Sequence, residues 1–264
     1  MDCDELHPAV ASIIEGWMAP VRAALGEKLV GVTVTGSLAL DDFQPGWSDV
    51  DLVAVLGGPI TSGEVAELDR IHADIGRMYI DEGRDGWISG QGLQCCYLTA
   101  DVAHSPGLRA ACCEGGDRGA EAVGADPLLP FDRHVLSRFG RPLLGDPVGF
   151  EPPGIEALRV QSASEADWLD PARAARESPI WLAAVMHWLA RTIVFWRDGA
   201  DLGKTTALER EIARGSPFTE EFALALRIRR QGSRAAAGHE RELREVFRRV
   251  ASPSAVLIGG LLAG

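Results

Sequence analysis

The sequence predicts an α+β protein in which a small mixed sheet with flanking helices precedes an all-α helical bundle. Short apolar runs that suit buried strands alternate with helical patterns only in the first part of the chain. After the Pro- and Gly-rich cluster at 149–154, every periodic segment has helical spacing. We therefore place the first domain at residues 1–150 and the second at residues 155–264.

The elements of the first domain follow from apolar spacing and from the glycines and prolines that interrupt it. Ser62 is predicted to cap the second helix, and the third strand is expected to lie beside the second. The predicted helices are 8–25, 62 to about 81 and 131–139; the predicted strands are 29–35, 50–56 and 93–99; a loop is predicted at 141–147.

The second domain contains a clear helix start and a clear helix end. Ser178 is a cap residue and Pro179 suits the first helical position, while Gly199 is typical of a helix end. The segment that they enclose is strongly apolar but includes His187 and Arg191, which favours a buried helix over a membrane span. The predicted helices are 156–169, 180–197, 204–214, 219–230 and 239–250.

Composition limits the classes of function. The chain has 264 residues, a formal net charge of −12 and a pI near 5.0. An acidic surface repels phosphate backbones, so we expect no nucleic-acid partner. The five cysteines show no Cys-x-x-Cys zinc spacing, and the acidic N-terminus lacks the basic start of a signal peptide. We expect a cytoplasmic protein with no membrane partner, and a monomer in preference to an oligomer.

The most informative stretch is residues 36–51. Gly36 and Ser37 follow one apolar strand, and Asp49 and Asp51 begin the next. Residues two apart on a strand share a face, so the two carboxylates project together. They repel each other unless a cation lies between them, and a hard divalent ion suits that role. Free backbone amides at the Gly-Ser turn would bind a polyphosphate beside such an ion.

Gly36-Ser37, an eleven-residue spacer and Asp49-x-Asp51 resemble the signature of the polymerase-beta-like nucleotidyltransferase superfamily. The run from Pro45 to Asp51, with Ser48 before the first aspartate, is most similar to the aminoglycoside adenylyltransferases that act on streptomycin and spectinomycin. The segment 131–147 and the pairing of Arg191 with Lys204 thirteen residues later also resemble that family. The resemblance implies an N-terminal nucleotidyltransferase domain followed by a helical bundle.

The resemblance also implies a role for each matching residue. Asp49 and Asp51 would bind Mg²⁺, while Gly36, Ser37 and Ser48 would contact the phosphates of ATP. Arg191 and Lys204 would reach the nucleotide or order the cleft between the domains. We also expect Arg191 to form an ion pair, because a charged side chain inside so apolar a helix requires a partner.

One position departs from the family pattern. The third strand of the family carries a glutamate that completes the metal site or deprotonates the substrate, and Gln94 aligns with it here. An amide cannot accept that proton. Three explanations stay open. Another acid substitutes, with Glu82, Asp85 and Asp101 nearby in sequence; or the enzyme works without a base; or catalysis is lost and the protein only binds nucleotide or ligand.

The predicted reaction is Mg²⁺-dependent transfer of AMP from ATP to a hydroxyl of a small cationic, aminoglycoside-like substrate, with release of pyrophosphate. The protein would thus be an ATP-binding transferase of the antibiotic-resistance type. The alternative is a catalytically impaired nucleotide- or ligand-binding protein of the same fold, because of Gln94. Acidic residues and aromatic faces suit a polycation, and we assign Glu177 and Trp181 to the substrate; Asp167, Trp168 and Trp188 are further candidates.

Overall fold

The computed structural model describes residues 6, 8–78, 92–104, 110–114, 121–123 and 128–264. These residues divide into two compact units. The first comprises Met1–Phe43 and Ser48–Pro153, and the second comprises Gln44–Trp47 and Gly154–Gly264. The four residues Gln44–Trp47 therefore group with the second unit although they lie within the first in sequence. We refer to the two as the sheet unit and the helical unit.

In the described part of the sheet unit, six strands pair in the order β5-β4-β3-β2-β1-β6. Strands β2 and β3 are parallel, and the other paired strands are antiparallel. The strands are β1 (Leu29–Val34), β2 (Val50–Leu56), β3 (Leu93–Thr99), β4 (Ala110–Glu114), β5 (Glu121–Val123) and β6 (Arg141–Leu144). The helices are α1 (Pro8–Leu25), α2 (Gly36–Ala39), α3 (Ser62–Gly76), α4 (Ala100–His104) and α5 (Pro130–Phe139).

Alternate residues of each central strand enter different cores. Leu52, Ala54 and Tyr97 join a core that includes apolar residues of α1 and α3. Val53 and Cys96 join a smaller core on the opposite face, which includes Leu136 of α5. This two-sided burial explains why β2 is apolar after Asp51, and β3 is apolar from Cys95 to Leu98, as expected for strands covered on both faces.

The helical unit is built around α8. Its helices are α6 (Ile155–Glu165), α7 (Arg173–Arg176), α8 (Pro179–Asp198), α9 (Lys204–Arg214), α10 (Thr219–Gln231), α11 (Ala235–Gly238) and α12 (Glu240–Ala263), with a short 3-10 turn at Ala166–Leu169. Ser178 caps α8 by accepting a hydrogen bond from the Trp181 amide at 3.2 Å, and Gly199 ends it in the left-handed conformation. Both of these sequence predictions are confirmed.

Three local predictions need correction. Thr61, and not Ser62, caps α3, because its side chain and Glu64 form a reciprocal capping box. Residues 77 and 78 continue α3 as a π-helical turn, and the predicted end of this helix at about residue 81 lies outside the described residues. The predicted loop at 141–147 contains β6, which pairs with β1. The last helix continues through Pro253 to Ala263, well beyond residue 250.

Two described helices, α8 and α12, are long and apolar enough to cross a membrane by length and composition alone. In α8, 61% of the apolar window is buried inside the protein. Burial of this kind is typical of the core helix of a folded domain. In α12 the buried share is 33%, and one or two such helices are weak evidence for a membrane span.

Candidate active site

The turn between β1 and α2 is shaped by Gly36. Gly36 has φ of +61°, and a Cβ atom placed there would lie 2.0 Å from Oδ2 of Asp51. The amide of the preceding residue, Thr35, donates a hydrogen bond to the backbone oxygen of Asp51 at 3.0 Å. The carboxylate of Asp51 thus packs directly on the glycine Cα, and only glycine leaves room for it.

Two hydroxyl groups at this turn lack protein partners. Oγ1 of Thr35 and Oγ of Ser37 are buried, and neither makes a hydrogen bond with any residue that the structure describes. Thr35 is 5% exposed. A buried donor without a partner costs about 1–3 kcal/mol, so proteins keep few of them. Such groups are typical of a site that completes its hydrogen bonds with a ligand.

Asp49 immediately precedes β2 and Asp51 is the second residue of that strand; both are half-buried, while Ser48 before them is buried. The amide of Val50, between the two aspartates, donates to the backbone oxygen of Gly92 at 2.9 Å, which fixes this end of the strand. Carboxylate and hydroxyl oxygens are the donors that Mg²⁺ prefers, so the donor set suits such an ion. Within the described ranges, no group of three or more His, Cys, Asp or Glu side chains forms a metal cluster.

Gln94 is directly adjacent to Asp51 in the parallel pairing of β2 and β3, and it is half-buried. The position expected to carry a third acid is therefore brought to the two aspartates, but it carries an amide. Asp101 is exposed on α4, beyond the far end of β3. The five strand steps from Gln94 to Thr99 alone span about 17 Å, which makes Asp101 unsuitable as a substitute. Glu82 and Asp85 lie outside the described residues.

Lys204 and Arg191 both belong to the helical unit. Lys204 is the first residue of α9, and Arg191 lies on α8; both are half-buried. Arg191 makes no hydrogen bond or ion pair with the described part of the chain, so the ion pair predicted for it is not found there. Burial lowers the pKa of His187, and the nearby charges of Arg229 and Lys204 lower it further. Positive charge is thus concentrated around this buried histidine.

The proposed substrate residues Glu177 and Trp181 both contact Arg173 of this protein. The Arg173 guanidinium donates to Glu177 at 2.9 Å and lies 5.3 Å from the ring centroid of Trp181. A cation of this protein therefore holds the place that a cationic substrate would take. Arg173 was not among the residues singled out from the sequence, because its importance depends on contacts made by folding.

Of the other substrate candidates in the helical unit, Trp168 and Trp188 pack against each other within the fold. Trp188 packs on Trp168 at 5.4 Å between ring centroids and donates to Glu165 at 2.6 Å, whereas Asp167 is exposed.

A second feature that sequence reasoning missed is the segment Gln44–Trp47. The amide of Ser233 donates a hydrogen bond to the backbone oxygen of Gly46 at 2.8 Å. The rings of Trp47 and His187 pack edge to face, with 4.6 Å between their centroids. Trp47 is 8% exposed and joins the core of the helical unit. It precedes Asp49 by two residues in the sequence. A large aromatic residue inside a polar loop was the available signal.

Comparisons with known proteins give one clear result. No protein-family model matches the chain, and no curated protein matches its sequence. Among solved structures, it is similar to spectinomycin adenyltransferase AAD(9) from Enterococcus faecialis, determined with ATP and spectinomycin. The TM-score is 0.64 at 15% identity, over 90% of this chain and 98% of the other. The likeness confirms the predicted α+β fold class and a resemblance in fold to the aminoglycoside adenylyltransferases.

Proposed function

We propose that this chain is a nucleotidyltransferase that moves AMP from ATP to a hydroxyl of a small cationic molecule, with an aminoglycoside-like compound as the best substrate class. The observation that carries the proposal is the turn at Gly36, where the Asp51 carboxylate packs on a glycine and two buried hydroxyls lack partners. The fold likeness to a protein determined with ATP and spectinomycin supports it. The cytoplasmic location and the role in antibiotic resistance belong to the same proposal.

In this proposal, Asp49 and Asp51 hold Mg²⁺, which would neutralise charge on the phosphates and align the reacting groups. Ser37 donates its unpartnered hydroxyl to a phosphate oxygen, and Gly36 and Ser48 form the rest of the turn. The substrate hydroxyl oxygen bonds to the α-phosphorus and its proton passes to solvent water, while pyrophosphate leaves with the electron pair of the broken bond. Lys204 and Arg191 supply positive charge to the triphosphate.

We also propose that the two parts predicted at 1–150 and 155–264 are domains with separate tasks. The first would carry the metal and phosphate ligands, and the second would select the acceptor. The net charge of −12 favours a cationic acceptor over an anionic one through long-range attraction. Glu177 and Trp181 would contact such an acceptor only if Arg173 moved away from them, because it now engages both.

The proposal is tested by pyrophosphate release from the purified protein with Mg²⁺-ATP and a panel of aminoglycosides and spectinomycin. Release should depend on one member of the panel and should fall at least about 100-fold in Asp49→Asn, because removal of a metal ligand loses several kcal/mol of charge stabilisation. Asp146→Asn, a surface change in the same unit, is the matched control and should keep wild-type release. Equal release from Asp49→Asn and wild type would overturn the proposal.

A second candidate function is nucleotide or ligand binding without catalysis, and Gln94 favours it. Gln94 stands beside Asp51 at the position where the resemblance expects an acid, and loss of a general base costs a factor of about 100 to 10,000. This alternative predicts that the protein binds ATP without turnover. It also predicts that Gln94→Glu raises pyrophosphate release sharply, whereas an unchanged rate would argue against it.

A further inference from the structure

Thr35 follows the last residue of β1 and is the direct neighbour of Asp51 on β2. The register of the two antiparallel strands pairs Val34 with Leu52, so the next pair is Thr35 with Asp51. The amide of Thr35 donates a hydrogen bond to the backbone oxygen of Asp51 at 3.0 Å, and the pairing therefore continues to this position. Directly opposed residues of paired strands present their side chains to one face of a sheet. Thr35 and Asp51 thus share a face.

The same face is a packing surface farther along the two strands. Thr33 is paired with Val53, which belongs to the core that α5 covers. Each of these two residues lies two positions from Thr35 or Asp51, so the strand period of two assigns both pairs to one face. Thr33 lies close to the end of α5, because a Cβ atom at Gly140 would come within 2.9 Å of its methyl group. Within two residues, the face therefore changes from close packing under α5 to the pair of Thr35 and Asp51.

The hydroxyl of Thr35 has no partner in the described part of the protein. Thr35 is 5% exposed, and its Oγ1 makes no hydrogen bond with any described residue. Valine has nearly the same shape and suits a buried strand position without leaving a polar atom unsatisfied. A threonine in this environment is therefore destabilising unless its hydroxyl forms a hydrogen bond with a ligand.

The neighbours of Thr35 indicate which ligand its hydroxyl suits. Asp51 is opposite Thr35, and Gln94 is in register with Asp51 on β3, so the row across the three strands is hydroxyl, carboxylate and amide. The carboxylate of Asp51 would repel a free anion, but it would attract a divalent cation that carries phosphate. A hydroxyl donates its proton most strongly to a charged oxygen. A metal-bound phosphate satisfies both the carboxylate and the hydroxyl.

We propose that the Thr35 side chain is a further phosphate-binding group, which donates its hydroxyl proton to a phosphate oxygen of the metal-bound triphosphate. The inference rests on the proposed function, because it presupposes Mg²⁺ and ATP at Asp49 and Asp51. Thr35 precedes the Gly36-Ser37 pair that carries the family resemblance, so its role is additional to that of Ser37. The hydroxyl destabilises the ligand-free protein, and its hydrogen bond to a charged oxygen offsets that loss in the complex.

The test measures the binding of two probes to the full-length protein by calorimetric titration with Mg²⁺ present. The probes are a non-hydrolysable ATP analogue and inorganic triphosphate. We expect Thr35→Val to weaken the binding of both at least about tenfold, since it removes a hydrogen bond to a charged oxygen and keeps the shape of the side chain. Thr35→Ser keeps the hydroxyl and should bind nearly as wild type does. The matched control is Thr33→Val, buried on the same strand and face, which should bind both probes as wild type does.

Thermal unfolding of the ligand-free proteins separates a contact with the ligand from a structural role. Thr35→Val should unfold at the temperature of wild type or above it, because the substitution removes a buried hydroxyl without a partner. A lower unfolding temperature, or equal losses of affinity in Thr35→Val and Thr35→Ser, would show that the side chain serves packing, and the inference would be wrong. Weaker binding of the ATP analogue with unchanged binding of triphosphate would overturn the assignment to phosphate.

Asp51→Asn distinguishes the failure of this inference from the failure of the proposed function. If Asp51→Asn abolishes binding of both probes while Thr35→Val binds them as wild type does, the inference is wrong and the proposed function survives. If wild type binds neither probe, the nucleotide site itself fails, and both proposals are wrong.

Discussion

The turn at Gly36 and the residues Glu177 and Trp181 were both expected to bind ligands. They differ in whether their side chains already have partners within the protein. At the turn, the hydroxyls of Thr35 and Ser37 are buried without a partner in the described protein. In the helical unit, Glu177 accepts from Arg173, and the same guanidinium covers Trp181. The comparison shows that residue type alone does not identify a binding site, because a polar or aromatic side chain is either available to a ligand or already in contact with another residue of the protein.

The largest effect is expected from Gly36→Ala. Its Cβ would overlap Oδ2 of Asp51, and the backbone has φ of +61°, so the carboxylate or the turn must shift. We expect pyrophosphate release to fall at least about 100-fold, because misplacement of about 1 Å can cost that much. Gly26→Ala is the matched control.

Gly26 has a similar φ of +55°, but a Cβ there meets nothing within 4 Å. It should therefore lose only about 1 kcal/mol of stability and keep its activity. Equal loss of activity in both variants would mean that backbone strain, and not the contact with Asp51, explains the requirement for glycine at position 36.

In the helical unit, we expect substitutions of charged residues to change the free energy of unfolding. Glu211 is fully buried on α9 and is paired with Arg197, which also contacts Asp198. Glu211→Gln should lower the free energy of unfolding by about 3 kcal/mol, because it breaks a buried ion pair from one side. Glu209→Gln, on the same helix, removes an exposed pair with Arg230 and should change stability by less than about 1 kcal/mol. Chemical unfolding followed by circular dichroism measures both, and similar losses would contradict the distinction.

Acid should destabilise the sheet unit through His72. Burial lowers the pKa of His72 to about 4, and it accepts a hydrogen bond from the Trp17 ring at 3.1 Å. Between about pH 6.5 and pH 4 the unfolded chain binds the proton and the folded protein does not, so stability falls as the pH decreases. At pH 5 the loss relative to pH 7.5 is about 2 kcal/mol.

His72→Gln removes this titration while keeping a hydrogen-bond acceptor. Urea unfolding at pH 7.5 and pH 5.0 should therefore show a smaller pH dependence in this variant than in wild type. His187 has a lowered pKa too, so some dependence should remain in the variant. An unchanged pH dependence would show that His72 is not the group responsible.

The two smallest predicted effects concern Ser37 at the turn and Glu177 in the helical unit. Ser37→Ala should leave stability unchanged or raise it by up to about 1 kcal/mol, because it removes a buried hydroxyl without a partner. It should weaken ATP binding several-fold. Glu177→Gln should do the reverse, losing up to about 1 kcal/mol of stability with no change in ATP affinity. Calorimetric titration measures the ATP affinity of each variant, and thermal unfolding measures its stability. If both variants changed affinity and stability in the same way, the distinction between the two regions would be wrong.

Local patterns predicted several elements well. The bounds of α1, β2, β3 and α9 agree with the sequence prediction, because each has a clear apolar period and a nearby glycine or proline boundary. Strand β6 was not predicted, since four half-buried residues that include Pro142 resemble a loop until they pair with β1. The continuation of α12 past Pro253 was also missed, because proline normally interrupts a helix.

The sequence by itself determined the arrangement within single elements: Gly36-Ser37 directly after one strand, and Asp49 and Asp51 where the next strand begins. These follow from the period of two and from the demands of a tight turn, both of which are local. Only the tertiary structure decided that Gln94 stands between Asp51 and Glu114, that Arg173 occupies Glu177 and Trp181, and that Trp47 packs in the helical unit. Strand register and side-chain pairing are set by residues far apart in the chain, so no local pattern contains them.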